Sequence, residues 1–129
     1  MKIFLLAGEA SGDKLGAALM AGLLKHMPNA PQFYGVGGPL MEQAGLKTLF
    51  PMSDISLMGI SEILSKYRFL KRRITEAADA VIEGGADVLI TIDLPEFSLR
   101  LAKAVRRRKQ VPSVHYVAPT VWAWRPGRG

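Results

Sequence analysis

The run Lys2-Ile3-Phe4-Leu5-Leu6-Ala7 empties into Gly8-Glu9-Ala10-Ser11-Gly12-Asp13, and a helical pattern follows from about Leu15. A buried parallel strand that turns into a helix through a glycine loop places backbone N–H groups at a helix N-terminus, which suits phosphates and sugar hydroxyls. The loop lacks the G-x-G-x-x-G of dinucleotide binding, and no Gly-Lys-Ser/Thr closes it as a P-loop. Glu9 and Asp13 set a carboxylate on each side of Ser11, a poor arrangement for a pyrophosphate. Such a loop fits a polar, hydroxyl-rich ligand, or the fastening of neighbouring loops to one another.

The same strand-then-helix alternation runs along the chain. The first helix is expected over residues 15–26, with Leu15, Leu19, Leu23 and Leu24 on one face and Pro28 and Asn29 ending it. Residues 32–36 read as a second strand, followed by Gly37-Gly38-Pro39 and a short helix over 40–44 that Gly45 stops. Residues 47–50 read as an edge-like strand. Ile60, Ile63, Leu64, Tyr67, Leu70 and Ile74 recur at helical spacing within 60–83, and Gly84-Gly85 stops that pattern. Residues 87–92 are the clearest strand, 95–109 a helix and 113–117 a last strand. This order predicts a doubly wound, Rossmann-like parallel α/β sheet, and 129 residues suffice for one domain with a real core. Ligands bind open α/β sheets beyond the carboxyl ends of the strands. The loops 8–13, 35–39, 93–97 and 118–125 lie at those ends and are expected to converge on one crevice.

Charge narrows the partners. Lys plus Arg number 17 against 11 Asp plus Glu, a net +6, which implies an anionic partner: nucleic acid, anionic lipid or a phosphorylated substrate. One basic cluster is Lys66, Arg68, Lys71, Arg72 and Arg73; another is Lys103, Arg106, Arg107, Arg108 and Lys109. Solvated helix faces explain most such runs, and the second cluster also complements a helix C-terminus. The first follows Ser56-Leu57-Met58-Gly59-Ile60, and an apolar face beside cations is how a helix rests on an anionic membrane. A core-facing helix would carry the same period. No apolar run reaches the roughly 18 residues that span a bilayer. The N-terminus enters a strand directly, so a secretory signal is not expected. With no cysteine, disulfides, thiolate metal sites and Cys nucleophiles are excluded.

Few residues could carry chemistry. Asp93 follows the end of the 87–92 strand, where a carboxylate can take a proton from a substrate hydroxyl. Asp93-Leu94-Pro95-Glu96 equally has the form of a capping box, and spacing alone favours that reading. Ser11 lacks the G-x-S-x-G setting of a nucleophile, and its plainer role is an N-cap or a loop hydrogen bond. Glu9 and Asp13 could hold sugar hydroxyls, and Asp13 equally suits the positive end of the helix after it. His115, inside an apolar strand, reads as a satisfied core residue, and His26 as a dipole-complementing residue in a last turn. Two histidines without supporting carboxylate spacing build no metal site, and no D-x-D pair is present. Trp122-Ala123-Trp124-Arg125 is rich in aromatics for a loop, suited to stacking on a sugar ring, covering a lipid-facing surface, or packing under another domain.

Taken in order, Gly8-Glu9-Ala10-Ser11-Gly12-Asp13, Gly35-Val36-Gly37-Gly38-Pro39 with Met41, Met58-Gly59, Ile92-Asp93-Leu94-Pro95 with Phe97, and His115-Tyr116-Val117 through Pro119 to Trp122-Ala123-Trp124-Arg125 resemble the lipid-A-disaccharide synthases from end to end. The resemblance implies the N-terminal, acceptor-side domain of a two-domain GT-B glycosyltransferase over residues 1–129, with a UDP-sugar-binding domain C-terminal to it. It implies inverting transfer from UDP-2,3-diacylglucosamine to 2,3-diacylglucosamine 1-phosphate, giving the β-1,6 disaccharide and UDP, with no cofactor and no metal. Asp93 matches the family's proposed general base. Substrate contacts are implied at Gly8, Glu9, Ser11, Gly12, Asp13, Gly37, Gly38, Met58, Trp122, Trp124 and Arg125. A membrane-facing surface is implied at Leu57, Met58, Ile60, Arg68, Lys71, Arg72 and Arg73. The implied location is cytoplasmic, peripheral on the inner membrane of a Gram-negative bacterium; a homo-oligomer is compatible with it. The family often carries Asp and then Asn where this chain has Glu96 and Ser98, so the resemblance assigns those two positions no role.

Two other readings compete. One is a different GT-B glycosyltransferase acting on a membrane lipid, though the N-terminal glycine signature differs from that of the peptidoglycan lipid-intermediate enzymes. The other is a non-enzymatic α/β domain that binds anions or nucleic acid through its charge. Nucleic-acid binding would interleave aromatics with the basic runs, and here the tryptophans lie outside both clusters.

Overall fold

The computed structural model describes residues 1–55 and 67–116. Among these residues five parallel strands form one sheet: β1 (Lys2–Ala7), β2 (Gln32–Val36), β3 (Lys47–Thr48), β4 (Val88–Ile92) and β5 (Ser113–Tyr116). Their order across the sheet is β3-β2-β1-β4-β5. The chain builds outward from β1 through β2 to β3, then returns to lay β4 on the other side of β1. The order therefore reverses between β1 and β4, the place where doubly wound sheets open a crevice. Among the described residues the helices are α1 (Ala10–His26), α2 (Pro39–Gln43), α3 (Tyr67–Glu83) and α4 (Pro95–Arg106), with a 3-10 turn over Met52–Asp54.

Strand β1 is apolar on both faces because both faces are covered. Ile3, Leu5 and Ala7 pack with Met20 of α1, Met41 of α2 and Ile92 of β4. Phe4 and Leu6 point the other way, against Ala77, Ala78 and Val81 of α3 and Leu101 and Val105 of α4. Period-two alternation thus splits one strand between two cores. Phe4 also meets Tyr34, its register partner on β2, edge to face at 5.1 Å between ring centroids. The Tyr34 hydroxyl donates to the Ala80 carbonyl of α3 at 2.9 Å, tying sheet to helix. Beside them Gly35 has φ of +143°, and a Cβ there would strike the Leu5 carbonyl oxygen. Only glycine fits so close an approach of two strands.

The strand expectations hold to within a residue at β2 and β4, whereas β3 is shorter than the expected 47–50 and α4 stops at Arg106 instead of 109. The larger correction concerns α1. It begins at Ala10, five residues before the expected start, so Ser11, Gly12 and Asp13 stand in its first turns and the loop after β1 is only Gly8 and Glu9. Packing overrides the poor helix propensity of Ser, Gly and Asp. Gly12 is buried against the sheet, with its missing Cβ 3.2 Å from the Ala7 Cβ and 3.5 Å from Ile92 Cγ2. No helix among the described residues is long and apolar enough to cross a membrane. Of the helix expected over 60–83, residues 60–66 lie outside the described ones.

Candidate active site

Three of the four expected loops meet at the carboxyl ends of adjacent strands: Gly8 and Glu9 after β1, Gly37 and Gly38 after β2, and Asp93 and Leu94 after β4. The fourth, 118–125, lies outside the described residues, as do Leu57, Met58, Ile60, Trp122, Trp124 and Arg125.

Asp93 stands at the reversal point, half-buried. It and Leu94 both have φ of 52°. Two successive non-glycine residues in the left-handed region cost about 1–2 kcal/mol each. Such strain persists only where the surroundings over-determine it, and it concentrates at functional sites. Here the Asp93 N–H donates to the Tyr116 carbonyl of β5 at 2.9 Å. The Asp93 carbonyl accepts from the buried Ser98 hydroxyl at 3.0 Å. The Leu94 side chain fills the notch left by Gly8, where a Cβ would collide with Leu94 Cδ2. The N-cap of α4 is Leu94, which corrects the capping-box expectation for Asp93 by one residue. Glu96 turns away from that box, to within 3.7 Å of Arg100 one turn on. The physical reason is the left-handed pair itself, which delays the helix start by one residue.

Across the reversal point from Asp93 is the N-terminus of α1. Its N-cap is Glu9, not Ser11, and Glu9 makes no side-chain cap bond. Glu9, Ala10 and Ser11 are exposed there. The first-turn N–H groups of a helix without such a cap are donors for a ligand's oxygen atoms.

Asp13 does something different. It is 3% exposed and accepts three backbone N–H bonds: from Gly38 at 3.0 Å, Leu40 at 3.0 Å and Met41 at 2.9 Å. These belong to the N-terminus of α2, where Pro39 has no N–H to offer. A side chain of one helix therefore caps another. Of the two uses open to the first loop, fastening its neighbours is the one that engages both Asp13 oxygens. Gly38 permits it, since a Cβ there would sit 2.6 Å from Asp13 Oδ2. Gly37 is buried under Met41 and Leu46, and its N–H donates to Thr48 Oγ1 at 3.3 Å.

Behind the crevice, buried Thr91 meets His115 across β4 and β5, with Oγ1 and Nδ1 2.8 Å apart. His115 is exposed on β5 instead of sitting in a core, so its partner is a neighbouring strand and not a surrounding shell. Ser98, Leu94 and Thr91 were missed by sequence reasoning. Ser98 did leave a signal, a lone hydroxyl on the apolar face formed by Phe97, Leu101 and Val105.

The first basic cluster divides. Arg68, Lys71 and Arg72 are exposed along α3. Arg73 is not available in the same way. Its Nε and Nη2 donate to Asp54 Oδ2 at 3.0 and 2.8 Å, and its Nη1 donates to Glu76. The guanidinium lies 4.9 Å from the Phe50 ring centre and 4.7 Å from that of Phe69. Loss of hydration pulls its pKa down, but the bonds to Glu76 and Asp54 outweigh that and hold it above the ordinary value. Beside this cluster a groove of about 910 Å³ runs between Tyr67, Leu70 and Ile74 of α3 and Pro95, Leu99 and Lys103 of α4, beginning at Leu94. Among the described residues no group of three or more His, Asp or Glu could hold a metal ion.

Known proteins are similar to this chain. The family described as lipid-A-disaccharide synthetase matches residues 3–129. The chain is 59% identical over 128 residues to the lipid-A-disaccharide synthase of Ruegeria pomeroyi, 99% of this chain and 32% of that protein. It is 49% identical over 127 residues to the one from Rhodospirillum centenum, and 49% over 128 to the one from Nitrobacter hamburgensis. The chain spans about a third of the length of these curated relatives.

Proposed function

This chain belongs to the lipid-A-disaccharide synthetase family, and we propose that it supplies the acceptor side of an inverting glycosyltransferase of lipid A synthesis. The donor is UDP-2,3-diacylglucosamine and the acceptor 2,3-diacylglucosamine 1-phosphate. The Asp93 carboxylate takes the proton from the acceptor 6-hydroxyl as that oxygen attacks the anomeric carbon. The new bond joins O6 to the anomeric carbon, the bond from that carbon to the UDP oxygen breaks, and UDP leaves with the electron pair. In-line displacement inverts the centre and yields the β-1,6 disaccharide. The observation that carries this reading is Asp93 itself, a carboxylate at the strand-order reversal whose backbone is held in a costly left-handed conformation.

The remaining residues support it in kind. The open N-terminus of α1, with Gly8, Glu9, Ser11 and Gly12, suits hydroxyls or a phosphate of the acceptor. Asp13, Gly37 and Gly38 shape that wall. The α3–α4 groove, which begins at Leu94, suits an acyl chain. Met58, Trp122, Trp124 and Arg125 complete the acceptor site in this proposal. Arg68, Lys71 and Arg72, with Leu57, Met58 and Ile60, face the anionic inner membrane from the cytoplasmic side. In this reading the UDP-binding groups lie in a C-terminal domain, and residues 1–129 alone have no transferase activity.

The test is Asp93→Asn in the full-length enzyme carrying this sequence. The amide keeps the shape but cannot take a proton, and turnover should fall roughly 10²–10⁴-fold, the contribution of a general base. Disaccharide formation near the parent rate by a folded variant would remove Asp93 from the chemistry.

A further inference from the structure

We infer that Ser98 is a positioning residue for Asp93, holding the backbone turn that carries its carboxylate. This rests on the reading of Asp93 as the base. Ser98 lies in the first turns of α4 and is 2% exposed, on a face otherwise made of Phe97, Leu101 and Val105. A hydroxyl buried there without a partner would destabilise the fold. In helix interiors a serine commonly bonds the carbonyl four residues back. This one reaches five back, to the Asp93 carbonyl at 3.0 Å, while its own N–H donates to the Leu94 carbonyl, also at 3.0 Å. One residue thus grips both carbonyls of the left-handed pair.

The need for that grip follows from the strand end. Asp93 still donates its N–H to Tyr116 of β5 at 2.9 Å, but its left-handed φ breaks the strand's alternation. The carbonyl turns from the sheet toward α4, where the Ser98 hydroxyl receives it. Without that hydroxyl the carbonyl loses a buried partner, and the cheaper course is for Asp93 to relax toward an ordinary backbone region. Relaxation would swing the carboxylate. The opposite side of the turn is set by Leu94 against Gly8, so Ser98 and Gly8 clamp the pair from two elements.

The experiment compares Ser98→Ala and Ser98→Thr in the full-length enzyme, assayed below each variant's melting transition. In Ser98→Ala, kcat should fall about 10²-fold with KM nearly unchanged, the loss expected when a reacting group is displaced by about 1 Å. Ser98→Thr, which keeps the hydroxyl, should recover most of that loss. In the Asp93→Asn background, Ser98→Ala should cost nothing further, because it acts only through Asp93. A Ser98→Ala enzyme with parental kcat and a lower melting temperature would overturn the inference, as would a full additional loss in the Asp93→Asn background. Failure of the base reading has its own signature: Asp93→Asn itself stays active, and both assignments fall together. If Asp93→Asn is inactive and Ser98→Ala is not, the positioning role alone falls.

Discussion

The Asp13 carboxylate and the Met41 N–H are 2.9 Å apart across 28 residues of sequence. With Gly38 and Leu40 they bring the whole N-terminus of α2 onto one buried carboxylate of α1. A cap normally comes from the residue just before its own helix. Here it comes from a different helix, so the loop after β2 cannot shift without moving the first turns of α1.

Asp13→Ala should therefore destabilise the protein by about 3 kcal/mol, since three backbone donors lose a charged acceptor in a buried place. Asp13→Asn should fall between, because its amide nitrogen would face N–H groups. Urea midpoints measure this, and a change under about 0.5 kcal/mol in Asp13→Ala would show that water replaces the carboxylate at little cost.

The first basic cluster should split by function. Replacing Arg68, Lys71 and Arg72 with Gln should weaken binding to anionic vesicles by about 1 kcal/mol per cation, and salt should weaken the parent in the same way. Arg73→Gln should instead lower the melting temperature and leave vesicle binding nearly unchanged, because its charge already serves Asp54 and Glu76. Co-sedimentation separates the two, and equal vesicle losses from Arg73→Gln and from any one exposed cation would contradict the division.

Tyr34 should give an alkaline signature. Burial pushes its phenol above the ordinary value near 10.0, and the Asp87 carboxylate adds to this while a backbone hydrogen bond at Ala86 opposes it. A raised folded-state pKa means stability fully present below the unfolded value of about 10 and lost as pH rises through the folded value. Above pH about 10 the parent should lose stability more steeply than Tyr34→Phe. Below it Tyr34→Phe should cost about 1 kcal/mol for the lost bond to Ala80. Parallel stability curves on both sides of that pH would show that Tyr34 does not titrate differently in the fold.

Two glycines should respond oppositely to alanine. Gly35→Ala places a Cβ on the Leu5 carbonyl oxygen at a left-handed φ, a backbone clash expected to cost about 4 kcal/mol or more. Gly22 lies inside α1 with nothing within 4 Å of a new Cβ, so Gly22→Ala should stabilise by about 0.5–1 kcal/mol. Thermal melts check both, and a destabilised Gly22→Ala would mean that α1 is packed more tightly along that side.

What could be read from the chain and what could not divide by the range of the forces. The apolar runs of β1 and β4, buried on both faces, announce themselves without any partner being known. So does the glycine stop after α2, where Gly45 has a φ of +114°. The start of α1 was hidden because Ser11, Gly12 and Asp13 are poor helix formers locally, and only contact with Ala7, Ile92 and α2 makes them helical. Leu94 was hidden for the converse reason, since nothing local asks a leucine to adopt a left-handed conformation. Arg73 looked like one cation among several until Asp54, 19 positions away, was placed beside it. At the site, the position of Asp93 followed from the strand end, whereas the grip of Ser98 depends on a turn that no spacing rule describes.

The central place of β1 also has a consequence for how the chain is made. Lys2 donates its N–H to Asp87, 85 positions later, and the whole β1–β4 ladder spans that distance. At ribosomal rates of about 5–20 residues per second, β1 waits roughly 4–17 s after emerging before its second partner exists. For that interval Ile3-Phe4-Leu5-Leu6-Ala7 is an apolar strand with an open edge, the kind of segment that mispairs with other chains. Slower elongation lengthens the exposure, and chaperones that shield nascent strands shorten its effect. The yield of native protein in a cell should thus depend on how translation is paced between the codons for β2 and those for β4.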